Sequence, residues 1–180
     1  VEIKVISGDN PVTVSQVALQ AGIANADNYI DASTLTTDEA IEDAVLRYTV
    51  FGRVTPDQKR KFVRALKKAG RTVAMTGDGV NDAPALKQAD IGFAMGDGTA
   101  VAQEAGDVVI LNNSLTSIKD CVLNSRTMAK SVGKFLIFQL TVNISTLLMN
   151  IIAPILGWTE PFSIVQILWI NLIMDTLAAM

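Results

Sequence analysis

Between positions 76 and 87 the chain reads Thr76-Gly77-Asp78-Gly79-Val80-Asn81-Asp82-Ala83-Pro84-Ala85-Leu86-Lys87, which sets two carboxylates, an amide and two glycines around one short turn. Two nearby carboxylates supply hard oxygen ligands of the kind Mg²⁺ accepts while it bridges to a phosphoryl group. The glycines let the backbone come close to a bound anion. A lone Gly-Asp-Gly is more often a surface turn in which Asp and Gly serve bend geometry alone. Met95-Gly96-Asp97-Gly98 has no companion amide or carboxylate at the same offsets and is read as such a turn. The first triplet has a different setting. The run Thr72 to Met75 before it predicts a buried strand, and Ala83 to Ala89 after it predicts a helix opening. Asp78 and Asp82 then project from a strand end, where open α/β sheets bind ligands.

The elements that must hold these residues follow from pattern. Up to about residue 118 the chain mixes charge with short apolar runs, as a soluble α/β domain does. Val1 to Ile6, Thr72 to Met75, Ile91 to Ala94 and Val108 to Leu111 predict buried parallel strands. Helical patterns cover Val12 to Ala21, Thr37 to Arg47, Asp57 to Ala69 and Thr99 to Glu104. The order is that of a doubly wound parallel sheet. Ala24 to Thr49 is the least marked region, with Asp38, Glu39, Glu42 and Asp43 at a helix start, where they favour the dipole.

Phe135 to Trp158 carries no charged residue, and about two dozen residues suffice to cross a hydrocarbon core of roughly 30 Å. A second apolar stretch runs from Pro161 to Met174 and past Asp175 to Met180, and reads as a second, truncated span. Its shorter length leaves a buried core helix as the alternative. Ser114 to Lys134 predicts a helix running into the first span. The expected partition is a domain over 1–118, a stalk over 119–134 and transmembrane helices over 135–158 and 161–180. Lys119, Arg126, Lys130 and Lys134 precede the first span, whereas the connector Gly157 to Pro161 holds only Glu160. The positive-inside rule then places the α/β domain in the cytoplasm.

Polar side chains inside a span are costly, and an ionisable one is a functional candidate. Asn171 and Asp175 are four apart and share a helix face. With Asn143 they offer oxygen ligands of the kind Ca²⁺ accepts. Gln139 and Gln166 are assigned the commoner role of interhelical hydrogen bonding.

The twelve positions from Thr76 to Lys87 resemble the hinge motif of the P-type cation-transporting ATPases, within the haloacid dehalogenase-like superfamily. Val5-Ile6-Ser7-Gly8-Asp9-Asn10 resembles that family's strand-end segment, whose hydroxyl and backbone amides hold the transferred phosphoryl. Arg53-Val54-Thr55-Pro56-Asp57-Gln58-Lys59 resembles the segment that supplies a phosphate-neutralising lysine. Without the resemblance, Lys59 belongs to a basic face with Arg60, Lys61, Arg64, Lys67 and Lys68, and such faces are usually solvated. The resemblance implies a haloacid dehalogenase-like, Rossmann-like fold. It places Ser7, Gly8, Asp9 and Lys59 at the phosphoryl group, Asp78 and Asp82 around Mg²⁺, Asn81 in support, and Thr76 and Gly77 in shaping the site.

Trp169-Ile170-Asn171-Leu172-Ile173-Met174-Asp175-Thr176 resembles the sixth membrane helix of Ca²⁺-transporting members, most closely the plasma-membrane branch. Phe138-Gln139-Leu140-Thr141-Val142-Asn143 resembles the fifth. Thr146 stands where members carrying two Ca²⁺ have Glu, which implies one Ca²⁺ per cycle and makes Asn143 a lesser ligand than Asn171 and Asp175. The implied activity is ATP hydrolysis through an aspartyl phosphate coupled to Ca²⁺ export across the plasma membrane. ATP, Ca²⁺, membrane lipid and the remaining domains of the same polypeptide are the expected partners.

The family's nucleophilic Asp-Lys-Thr-Gly-Thr segment does not occur in these residues, so the chain reads as a fragment, inactive alone, with an incomplete sheet. A net charge of −3 argues against nucleic acid as a partner. With a single cysteine, Cys121, there is no internal disulfide, and no histidine is present as base or ligand. A pump for Na⁺, K⁺ or H⁺, a soluble phosphatase of the same superfamily and a non-catalytic membrane fragment are the competing readings.

Overall fold

Short apolar runs form the strands of the N-terminal part, and polar residues with free side-chain acceptors start its helices. The computed structural model describes residues 1–158 and 162–178. It divides into two units, Val1–Ile118 and Lys119–Met180.

In the first unit, β1 (Val5–Ile6) and β2 (Tyr29–Asp31) flank β3 (Val50–Gly52) in a parallel three-stranded sheet. Val5 and Tyr29 both stand opposite Val50, and Ile6 and Ile30 opposite Phe51. Central β3 is wholly buried, as expected for a parallel strand covered on both faces. Helices α1 (Pro11–Gln20), α2 (Asp38–Arg47) and α3 (Pro56–Lys68) accompany this sheet. Asn10 starts α1 by accepting the Val12 N–H at 3.0 Å. Thr37 does the same for α2. Thr55 and Gln58 form a reciprocal capping box at α3, with Pro56 in its first turn. Phe51 and Phe62 stack tilted at 4.8 Å in the largest core cluster, with Ile41, Val45 and Val54 around them.

A second parallel sheet has the order β4 (Ala74–Gly77), β5 (Ile91–Met95), β6 (Val108–Ile110). Helix α4 (Ala83–Gln88) and α5 (Ala100–Ala105) cover it through Leu86, Ala102 and Ala105. The doubly wound expectation thus becomes two three-stranded parallel sheets. Strands β2 and β3 lie in or just beyond the stretch left unmarked by pattern, because three residues are too few to show a period. β4 starts two residues later than predicted and is not buried at Ala74 or Thr76, since it is the outer strand of its sheet.

In the second unit, α6 runs from Leu115 to Ile155 without a break, 41 residues, or roughly 60 Å at the helical rise. Its apolar window is not buried inside the protein. Leu136, Phe138, Leu140, Leu147 and Ile151 each expose half or more of their surface. The shorter apolar helix α7 covers Ile164–Ala178. At about 22 Å it falls short of a full span, so of the two expected membrane helices one meets the length by itself among the described residues. Glu160 and Pro161 in the predicted connector, and Met180 at the predicted end of the second span, lie outside the described residues.

Candidate functional site

Gly77 ends β4 opposite Ala94, and the next five residues turn the chain into α4 through a short 3-10 turn, Val80–Asp82. Asp78 follows directly on the strand and is exposed. Its carbonyl accepts the Thr99 N–H at 2.8 Å, which ties the loop to the start of α5. Asp82 closes the turn. Its amide donates to the Gly79 carbonyl at 3.0 Å, and its Oδ2 accepts the Gly79 N–H at 3.2 Å. The other carboxylate oxygen, Oδ1, lies 2.7 Å from Lys59 Nζ, and both side chains are largely buried, at 16% and 11% exposure.

Two glycines are required by space. A Cβ on Gly77 would stand 2.5 Å from Asp82 Cβ, and one on Gly98 would stand 2.8 Å from the Asp78 carbonyl oxygen. Met95-Gly96-Asp97-Gly98 is a turn, as read, and it also backs the Asp78 loop. Gln103 holds it from behind, donating to the Gly96 carbonyl at 2.6 Å and the Gly98 carbonyl at 3.2 Å. Sequence reasoning missed Gly98, Thr99 and Gln103 in this supporting role, and the one available signal was the repeat of Gly-Asp-Gly.

Ser7 sits at the end of β1, held by its N–H to the Phe51 carbonyl and its carbonyl to the Val54 N–H. Its hydroxyl accepts the Asp9 N–H and donates to Asp9 Oδ2, both at 3.2 Å. Ser7, Gly8 and Asp9 lead straight into the N-terminus of α1, whose dipole favours an anion, although Pro11 has no N–H and the Val12 N–H is held by Asn10. Lys59 stands near the start of α3, just past the capping box. The β3–α3 connection therefore links Ser7, through Val54, to the helix that carries Lys59. Arg53 in that connection has a left-handed φ of 52°, and its amide donates to the Asp9 carbonyl at 2.7 Å. Its guanidinium pairs with Asp31 at 2.7 Å. Hydrogen bonds from the Ser33 hydroxyl and amide, and then Arg53, hold the Asp31 carboxyl below its ordinary value.

The geometry joins two residues that the sequence assigned to different tasks. Lys59 lies on Asp82 itself, so each Asp82 carboxylate oxygen already has one partner, an ammonium or an amide, while Asp78 is exposed to solvent. Asn81 is exposed beside them, and Thr76 is exposed on β4. The donor set fits Mg²⁺, which binds through one or two carboxylates and completes its shell with water and phosphoryl oxygens. Asp78 is the side chain free to do so, and Asp82 is the one whose orientation is fixed.

The second unit holds a polar cluster on otherwise apolar helices. Gln139 Nε2 on α6 donates to Asp175 Oδ1 on α7 at 3.0 Å. Asn171 Oδ1 and Gln139 Oε1 are shut off from solvent and accept no hydrogen bond from the described residues. Gln139 is thus placed in an interhelical hydrogen bond, as its type suggested. Gln166, assigned the same task, instead accepts the Ser163 N–H near the start of its own helix at 2.9 Å. Asn143 lies one turn beyond Gln139 on the same face of α6 and is half-buried.

Residues 1–90, which include Ser7, Lys59, Asp78 and Asp82, match the haloacid dehalogenase-like hydrolases. The chain belongs to that family. Over its whole length this haloacid dehalogenase-like chain is 40% identical to the plasma membrane-type calcium-transporting ATPase 5 of Oryza sativa subsp. japonica, of which it covers 17%. Calcium-transporting ATPase 8 of Arabidopsis thaliana is 41% identical, again over 100% of the chain and 18% of that protein. Calcium-transporting ATPase 1 of Schizosaccharomyces pombe is 41% identical over 97% of the chain and 21% of its own length. Among solved structures, a zinc-transporting PIB-type ATPase in its E2.Pi state superposes with a TM-score of 0.65 at 26% identity, over 97% of this chain and 23% of that one. The chain therefore spans about a sixth of the length of the first of these relatives. The likeness extends through both units and is not confined to the haloacid dehalogenase-like half.

Proposed function

We propose that this chain is part of an ATP-driven cation transporter that exports Ca²⁺ through an aspartyl-phosphate cycle. One observation carries the reading. A single chain holds the Lys59–Asp82 pair beside Asp78 at a strand end and, on helices with uncovered apolar surface, a carboxylate bonded to a glutamine, with solvent-shielded amide oxygens on that glutamine and on Asn171. A soluble phosphatase of the same family has no use for the second feature.

In this reading the Ser7 hydroxyl and the Gly8 and Asp9 amides hold the transferred phosphoryl, and the Lys59 ammonium neutralises it from the Asp82 side. Asp78 and Asp82 hold Mg²⁺, with Asn81 in support and Thr76 and Gly77 shaping the loop. Mg²⁺ supplies charge neutralisation to the phosphoryl oxygens. The nucleophilic aspartate and the nucleotide site belong to other parts of the same polypeptide. Asp175 and Asn171, with Asn143, form the transport site for Ca²⁺. The basic residues Lys119, Arg126, Lys130 and Lys134 support a cytoplasmic position for the α/β unit at the plasma membrane. The unbroken α6 serves as stalk and span together, a rigid element through which phosphorylation can move the ion site. Ca²⁺ is preferred to another cation because the relatives named as calcium-transporting are 40% to 41% identical and the zinc-transporting one 26%.

The test is acid-stable phosphoenzyme formation from labelled ATP, with and without micromolar Ca²⁺, in membranes holding the full-length protein. Ca²⁺-dependent labelling that disappears in Asp78→Asn is expected. Labelling that ignores Ca²⁺ and answers to another cation would change the substrate, and full labelling of Asp78→Asn would sink the site.

A further inference from the structure

Gln139 enters the polar cluster with both ends of its amide. Its N–H donates to Asp175 Oδ1 at 3.0 Å, which leaves Oε1 on the opposite side of the group, shielded from solvent and without a donor among the described residues. Asn171, one helical turn before Asp175 on α7, leaves its Oδ1 in the same condition. Desolvated acceptors without partners are unfavourable, and native proteins seldom keep them without a reason. Two amide acceptors, one on the side chain bonded to Asp175 and one a helical turn before it, are thus left unmatched, and a cation is what such acceptors lack. The Asn150 Oδ1 atom is also shielded and has no partner among the described residues, but it stands eleven residues along α6, about 16 Å from Gln139, and belongs elsewhere.

Position supports the same grouping. Gln139 of α6 meets Asp175 of α7 directly. Asn143 and Asn171 are each four residues from that contact, one turn away on their own helices. Gln139 therefore sits beside Asp175, one turn along its own helix from Asn143, among the residues already proposed for transport.

We propose that Gln139 is a ligand and latch of the ion site: its N–H holds the Asp175 carboxylate while the site is empty, and its amide oxygen binds the cation when the site fills. The inference rests on the transport reading above. A cation that takes Asp175 Oδ1 displaces the N–H from it, and rotation of the terminal amide, a soft torsion, exchanges Nε2 for Oε1 at that place. Ca²⁺ gathers about six to eight oxygens, and a neutral amide oxygen adds one without adding charge. Because an amide does not take up a proton near neutral pH, Gln139 also keeps this end of the site from serving proton transport in place of a metal ion.

The test uses full-length protein in membranes and reads the Ca²⁺ concentration for half-maximal phosphoenzyme formation from ATP, with phosphorylation by inorganic phosphate in the absence of Ca²⁺ as the measure of an intact fold. Gln139→Met keeps the length and removes the amide, and is expected to raise that concentration about tenfold or more while labelling from inorganic phosphate persists. Gln139→Glu restores an oxygen ligand and is expected to recover most of the affinity at alkaline pH and to lose it on acidification. An unchanged Ca²⁺ response in Gln139→Met overturns the proposal, as does a Gln139→Glu response no better than that of Gln139→Met, which would leave Gln139 with the N–H role alone. If Gln139→Met is not labelled by inorganic phosphate, Gln139→Asn takes its place, with weaker Ca²⁺ dependence expected and an unchanged one overturning. Asp175→Asn separates the two levels. If it responds to Ca²⁺ like the parent, the transport reading itself falls; if it loses the response while Gln139→Met keeps it, the role of Gln139 alone is wrong.

Discussion

Lys59 and Asp82 are 23 positions apart in the chain and meet at 2.7 Å, and that contact organises the candidate phosphoryl site. It forms because Thr55 and Gln58 start α3 at a defined residue and because Gly77 leaves room for the Asp82 side chain. The second cause is testable. In Gly77→Ala the added methyl would stand 2.5 Å from Asp82 Cβ, so either the loop or the carboxylate must move, and displacements of about 1 Å at such sites cost on the order of a hundredfold. The expected outcome in the full-length protein is phosphoenzyme formation slowed by about that factor, with Ca²⁺ affinity little changed, read by rapid-quench labelling. The residues of the Asp78 loop were legible from their types and spacing. The contact with Asp82 was not: the resemblance pointed to Lys59 among six cations on or near one helix face, but only the folded chain sets its ammonium on Asp82.

At the level of elements, the first unit is tied together by polar links between helix ends and strand starts. Asp90, just before β5, accepts the Val73 N–H at 2.8 Å and pairs with Lys67 of α3 at 2.9 Å. Lys67 also donates to the Gln88 carbonyl at the end of α4. The Val73 N–H first, and Lys67 next, hold the Asp90 carboxyl below its ordinary value. A carboxyl whose folded-state pKa is depressed adds stability above its unfolded pKa and loses it as pH falls through the folded one. Asp90→Asn is therefore expected to lower thermal stability slightly at neutral pH and to flatten its decline below the ordinary aspartate range, as measured by melting temperature across an acid pH series. The helices here were readable because caps and apolar spacing are local. β2 and β3 were not, because their three residues each are defined by parallel pairing with strands distant in sequence. Val50 and Phe51 become the centre of a sheet through partners, without any periodicity of their own.

For the whole chain, the prediction concerns the long helix. Leu147, near the middle of the uncharged stretch, is 60% exposed on a helix whose apolar window nothing among the described residues buries. Leu147→Arg is expected to cost about 2.5 to 3.5 kcal/mol of insertion free energy. Glycosylation tagging of the segment after α6 would then show a lower fraction of inserted chain, and unchanged insertion would contradict the spanning role. Local chemistry alone established the Asp78 loop, the helix starts, the uncharged stretch and the polar residues inside it, because each is a property of residues close together along the chain. Folding in three dimensions decided which groups meet: Lys59 on Asp82, Thr99 on Asp78, Gln139 on Asp175, and β3 between β1 and β2. Those contacts join positions far apart in sequence, and burial selects among many equivalent lysines, glutamines and valines only once the backbone has brought particular ones together.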